Sequence, residues 1–449
     1  MHEILEVLTT TSIWLLFITF GPGYLIIVLA LTYFLKKSFV NNFDPLRIQI
    51  ILFIGFYLTG YLVLPFFTGI VTLSFVIISL FILIWLIVIK IIGRPRKVNL
   101  RDVMRPEFQF LILTVATVCM LAHIIVNMII PGKIPLFTEG GVHSRFEATE
   151  SSRALTWLLF SSNNIGGLMY AVTENNKIRR YSLFVIFLQI VSWILFASKG
   201  ALISILFILL FSIFIAQARG DGSRSKFIKR LLVGSFVVIL LLMPVYLNII
   251  GLKGEDVDHS ILIQLTNRMF SGFDQLIPAA SLDLASQAEP NSLLGPNIIE
   301  YQFMPFMKAV FGKEFPYFSV GQYVLQARTG SLIETAYTFP NSNLILEAIF
   351  TSGFILGLYI FFIEILFFYI LRYVALKMPI SPIGFFLIGA FVSTPMGLFL
   401  SGQDWCTTNA LFSMNVFICW VMSELFVEFR KFLKKNKLLR YPVKTIKTY

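Results

Sequence analysis

Glu347 is the residue in this chain best placed to do chemistry. It lies near the start of a long apolar run in "ARTGSLIETAYTFPNSNLILEAIFTSGFILG", which spans Ala327 to Gly357, and Arg328, Asn341 and Asn343 stand just upstream. An ionised carboxylate inside hydrocarbon costs at least about 2.5 kcal/mol, so a carboxylate kept there pairs, faces water or works. Glu347 can act as a general base towards a hydroxyl group. It can equally be a helix N-terminal carboxylate favoured by the macrodipole. Asn341 has a structural alternative of its own, as an N-cap.

A second set of residues is cationic. Arg153 opens an apolar run, Lys199 sits in the three-residue turn "SKG", Arg145 lies in "EGGVHSRFE", and Arg268 lies in "ILIQLTNRMFSGFDQLI". With Arg328 they suit an anion held at headgroup depth, such as a lipid pyrophosphate. Each one taken singly can also snorkel toward lipid phosphate. Other chemistries lack their residues. The four histidines (His2, His123, His143, His259) have no metal spacing, and there is no HExxH, no CxxC and no GxxxxGK[ST]. Asp256–Asp258, "DVD", has the form that nucleotide-sugar enzymes use with a metal, but its expected place is an acidic outer loop. The expectation is a site without metal or cofactor: cations to stabilise a departing pyrophosphate, and a carboxylate to take a proton.

The elements that must position these residues are membrane helices. Of the 449 residues 57% are hydrophobic and 13% charged, with 47 Phe. A soluble domain cannot hide that much apolar surface. Runs of membrane length fall near 12–35, 48–67, 70–92, 108–130, 154–173, 181–197, 201–216, 231–250, 343–371, 383–401 and 406–427. Most of the 36 basic residues then fall on one side, which predicts eleven helices with the N-terminus out and the C-terminus in. The net charge of +12 is thus a matter of topology, and nucleic acid is not an expected partner. Glu364 and Glu424 lie inside spans, as bundle-facing structural groups or a proton relay. Cys119 and Cys419 fall within spans, so no disulfide framework is implied.

The expected organisation is membrane helices over 1–250, an external loop over 251–342, membrane helices over 343–429 and a basic cytoplasmic tail over 430–449. Leu262, Leu265, Met269, Phe273 and Leu276 predict an amphipathic helix on the outer surface. "FMPFMKAVFGKEFPYF" predicts a second interfacial piece, broken at Pro305 and Gly312. Long loops of this kind often cover a site.

Several stretches resemble a known family. "PGKIPLFTEGGVHSRFE" resembles the outward segment of the bacterial oligosaccharide repeat-unit polymerases, the O-antigen polymerase (Wzy) group. "SKGALISILFILL" is similar to the Ser-Arg-Gly turn and helix of the wider polymerase and ligase superfamily, with Lys199 where arginine is usual. "NRMFSGFDQLI" and "FPNSNLILEAIFTSGFILG" resemble the stretches that open and close the family's large loop. Pro340-Asn341 stands where the ligases carry histidine, which favours polymerase over ligase.

The resemblance implies an all-α, GT-C-like polytopic protein of the bacterial cytoplasmic membrane. Its activity would be an inverting, metal-independent glycosyl transfer. The growing glycan on undecaprenyl pyrophosphate would move onto the non-reducing end of another lipid-linked repeat unit. Arg145, Arg153, Lys199, Arg268 and Arg328 would bind pyrophosphate, Asn341 and Asn343 sugar hydroxyls, and Glu347 would be base or acceptor anchor. The implied partners are lipid-linked oligosaccharides and a chain-length-determining copolymerase. The competing readings are a lipid-linked oligosaccharide flippase and a ligase-type transferase; an O-acyltransferase would need a partnered histidine.

Overall fold

The computed structural model describes residues 26, 29–31, 33–53, 71–92, 98–132, 134–135, 153–196, 199–251, 279, 282–286, 298–311, 320, 323–324, 344–397 and 402–435. Among these residues the structure is all-helical, with one isolated β-bridge between Asp102 and Ile380. In chain order the helices are α1 (Pro45–Phe53), α2 (Leu73–Ile92), α3 (Pro106–Ile124, continued by a π-helical turn at Ile125–Ile129), α4 (Arg153–Val172), α5 (Asn176–Leu195) and α6 (Lys199–Ala218). There follow α7 (Gly222–Gly251), α8 (Ile298–Phe311), α9 (Leu344–Lys377), α10 (Pro382–Gly397) and α11 (Gly402–Lys435).

Among the described residues five segments are long and apolar enough to cross a membrane: Leu73–Ile92, Pro106–Ile129, Asn176–Leu195, Leu344–Lys377 and Trp405–Leu433. The protein is therefore a multi-pass helical membrane protein. Helices are what lipid demands, because each backbone donor and acceptor must be satisfied within its own segment. In α2, Val76, Leu80, Leu83, Ile87 and Ile91 stay exposed on one face, while Ile77, Ile78, Phe81, Ile82 and Trp85 are buried against the bundle. Helix starts follow local chemistry too. Pro106 opens α3 where no intrahelical N–H is needed, and the Asn175 side chain accepts from the Lys177 and Ile178 N–H groups to cap α5.

Five basic connections gather at one end of the bundle. Arg219 donates to the carbonyl of Val172, and Arg224 to that of Ala171 at 2.7 Å. Asn41 donates to Phe214 O at 3.3 Å, and Asn99 N–H to Leu376 O at 2.7 Å. Arg372 binds Ser38 O at 2.9 Å and Asp44 Oδ2 at 2.8 Å. Glu424, expected to face the bundle, instead pairs at 2.8 Å with Arg105 in a half-exposed ion pair at this basic end.

Two expectations about elements change. The run 343–371 is not one continuous span. Gly353 has φ 72° and ψ 179°, a region essentially reserved for glycine, and the chain doubles back there. A Cβ on Gly357 would lie 2.5 Å from Ala348 O, so the short arm 344–352 packs directly on the start of the long arm. Leu344 to Ser352 are all buried, which makes this arm a helical hairpin held inside the protein. Secondly, α8 runs through Pro305 without a break and is no purely interfacial piece: Tyr301 and Gln302 are buried, the latter touching Glu364 and Cys406. The amphipathic stretch around Arg268 lies outside the described residues.

Candidate functional site

Two helices begin with cationic residues at a common end of the bundle. α4 and α6 each have twenty residues and are separated by the antiparallel α5 and two three-residue links, so they run in the same direction. Their C-terminal ends meet at the basic end, where Arg219 binds Val172 O and, at 3.1 Å, Glu174. Glycine permits the close contact along their length, because a Cβ on Gly167 would fall 2.3 Å from Ile208 Cγ2 and 2.9 Å from Ser212 Oγ. Arg153 precedes Gly167 by about 21 Å of helix, and Lys199 precedes its neighbours Ile208 and Ser212 by about 14 and 20 Å. The first residues of both helices therefore stand at the same end, within about one and a half turns of each other and opposite the basic loops. Two helix N-termini there add their positive dipole ends to the two cationic residues.

Below that level the interior is polar where helices meet. Asn163 Oδ1 accepts from Gln189 Nε2 at 3.0 Å and from Trp193 Nε1 at 2.9 Å, and Asn415 Nδ2 donates to Ser161 Oγ at 3.0 Å. These bonds tie α4 to α5 and α11, which fixes the register of a bundle whose apolar contacts are otherwise interchangeable. His123, also buried, packs against Trp193 and Phe196; neither ring nitrogen has a hydrogen-bond partner among the described residues. That is the environment of a packed core histidine and not of a metal ligand, and no group of metal-binding side chains occurs among the described residues.

Glu347 is fully buried on the short arm of α9. The reversal at Gly353 folds this arm back against the start of the long arm, which carries Glu364 further along. Gln302 of α8 donates from Nε2 to Glu364 Oε1 at 2.8 Å, and its Oε1 lies 3.6 Å from Cys406 Sγ. Thr351 Oγ donates back to Glu347 O at 2.7 Å, the usual adjustment of a threonine on an interior helix. Among the described residues, Gln302 of α8 thus links Glu364 of α9 to Cys406 of α11, and Glu347 lies buried on the arm that folds back against the start of the long arm of α9.

No family model, curated protein or solved structure matches this chain.

Of the residues singled out in the sequence, Glu347 is located with its side chain, and Arg153 and Lys199 by backbone position as the first residues of α4 and α6. Arg145, Arg268, Arg328, Asn341 and Asn343 lie outside the described residues. Gln302, Cys406 and the folding back of the arm that carries Glu347 were not foreseen. The glycines of "SGFILG" carry the only signal, and in a membrane helix such a pair reads equally well as a packing motif.

Proposed function

We propose that this protein polymerises lipid-linked oligosaccharide repeat units at the outer face of a bacterial cytoplasmic membrane. Eleven spans with the N-terminus out would leave the five basic connections in the cytoplasm and the N-terminal ends of α4 and α6 outside. The observation that carries the reading is the placement of Arg153 and Lys199 at the same end of two parallel, closely packed helices. Such an arrangement favours an anion bearing two phosphates on a membrane-anchored chain. The glycan would leave undecaprenyl pyrophosphate with the cations stabilising the developing charge, while Glu347 takes the proton of the acceptor hydroxyl. Arg145, Arg268 and Arg328 would complete the cationic surface, and Asn341 and Asn343 would hold sugar hydroxyls.

Arg153→Ala and Lys199→Ala should each abolish polymer in cells, with single repeat units still displayed and the protein still inserted. Lys199→Arg should be tolerated. Full-length polymer from both alanine variants would contradict the reading. One observation favours a second reading: a buried helical hairpin bearing carboxylates is also the construction of ion-coupled transporters. A flippase variant lacking Glu347 would lose export of repeat units altogether, whereas a polymerase variant would export them unjoined.

A further inference from the structure

The first N–H groups of α2 have no partner within the helix and must find one outside it. Thr72 Oγ1 accepts the Phe75 N–H at 3.1 Å, as an ordinary cap does. The Ser74 N–H goes instead to Asp283 Oδ1 at 2.8 Å, 209 residues further along the chain. Ser286 completes the contact: its N–H donates to Ser74 Oγ at 2.9 Å and its hydroxyl to Asp283 O at 2.8 Å. The turn is closed on itself by the Leu284 N–H, which donates to Ala279 O at 2.9 Å. Asp283 also sets its carboxylate at the positive end of the α2 dipole.

Two features separate this contact from the resting of a loop on a surface. Asp283 has φ 52°, and no other non-glycine residue among those described has a positive φ. A left-handed backbone persists only where its surroundings hold it, and such residues collect at clamps and switches. Secondly, Ala279, Leu284 and Ala285 are buried in one core with Ile78 and Phe81 of α2 and with the short arm of α9. The long connection between α7 and α9 reaches that arm again at Tyr323, whose ring centroid lies 5.3 Å from that of Phe350. The Tyr301 hydroxyl of α8 accepts the Val320 N–H at 3.0 Å, which joins two further pieces of the same connection. Helices α3, α4 and α5 belong to a second core.

We propose that the turn at 282–286 is a strap. Fastened by Asp283 to the first turn of α2, it holds the described parts of the connection between α7 and α9 down on the short arm of α9. Released, it loosens that arm while α3, α4 and α5 stay folded. Release is open to it because its hydrogen-bonding groups are only part-buried and find water as they separate, and Asp283 leaves its left-handed conformation at the same moment. Such a strap serves a protein that joins its substrates and one that moves them alike.

Hydrogen exchange of the purified full-length protein in detergent, read by mass spectrometry, tests the strap without any activity assay. Asp283→Ala should speed exchange at 73–76 and at 344–352 by about tenfold or more and leave α3 and α5 unchanged. Asp283→Asn tolerates the left-handed backbone and keeps an acceptor oxygen, so it should stay near the wild type. Asp283→Gly relieves the backbone but removes the acceptor, and should exchange like the alanine variant. Should the alanine variant fail to fold, the glycine and asparagine variants decide. Faster exchange confined to 73–76 and 282–286 would make the turn a local cap and overturn the proposal. So would a glycine variant that matches the wild type, or an equal acceleration through α3 and α5.

Discussion

Glu347→Gln keeps size and most hydrogen bonding but cannot accept a proton. If Glu347 is the base, polymerisation should fall by about 100-fold or more while lipid-linked repeat units still bind. If it only answers the helix dipole, the change should cost no more than about 1 kcal/mol and leave chain lengths unaltered. Arg372 and Asp44 form an ion pair with 3% and 0% exposed side chains, so removing one charge strands the other. Arg372→Met should lower stability by roughly 3–5 kcal/mol, read as the unfolding midpoint in detergent, and Asp44→Asn added to it should restore part of the loss. Asp102, in the connection before α3, offers a pH test. Burial raises its carboxyl above the ordinary 3.8, against hydrogen bonds from the Met104 N–H and Gln109. A carboxyl raised in the folded state contributes stability that is full below 3.8 and is lost as pH climbs through the folded value. The wild type should therefore lose ground to Asp102→Asn as pH rises above about 4, and a difference that is flat in pH would contradict this.

The hairpin of α9 rests on two glycines with separate duties. Gly353 supplies a backbone conformation closed to side chains, and Gly357 supplies the space for Ala348 O. Alanine at either should lower the unfolding midpoint, with a backbone penalty at Gly353 of about 1–3 kcal/mol. Gly234→Ala on α7, where nothing lies within 4 Å of the added Cβ, should be neutral or slightly stabilising. Equal effects at all three positions would mean that the hairpin is not what these glycines serve. Apolar runs made most helices readable in advance, because hydrocarbon leaves the backbone no other choice. The reversal inside "LEAIFTSGFILG" was hidden, since its composition is that of a continuous span and only the φ of Gly353 tells the two apart. Gln302 was hidden for the related reason that α8 sits in a long loop by sequence but packs inside by structure. Arg153 and Lys199 were readable as outliers, cations opening apolar runs; their placement at one end of two packed helices was not, because it depends on the close contact at Gly167 and the matched lengths of α4 and α6.

At the scale of the molecule, the basic connections fall at one end and the N-terminal ends of α4 and α6 at the other, so topology and site are one question. In a variant without its three buried native cysteines, a cysteine at Ser292 should react with an impermeant thiol reagent on spheroplasts, and one at exposed Lys226 should not. Equal labelling of the two would overturn the orientation and the outward cationic site together. The most direct measurement is of the reaction itself. The purified protein, reconstituted in vesicles with a single species of undecaprenyl-pyrophosphate-linked repeat unit and no nucleotide sugar or metal, should produce a ladder of joined repeats and free undecaprenyl pyrophosphate in matching amounts. Arg153→Ala protein should yield neither. A folded wild-type protein that carries the lipid-linked unit across the vesicle membrane, or binds it, without joining two units would contradict the account.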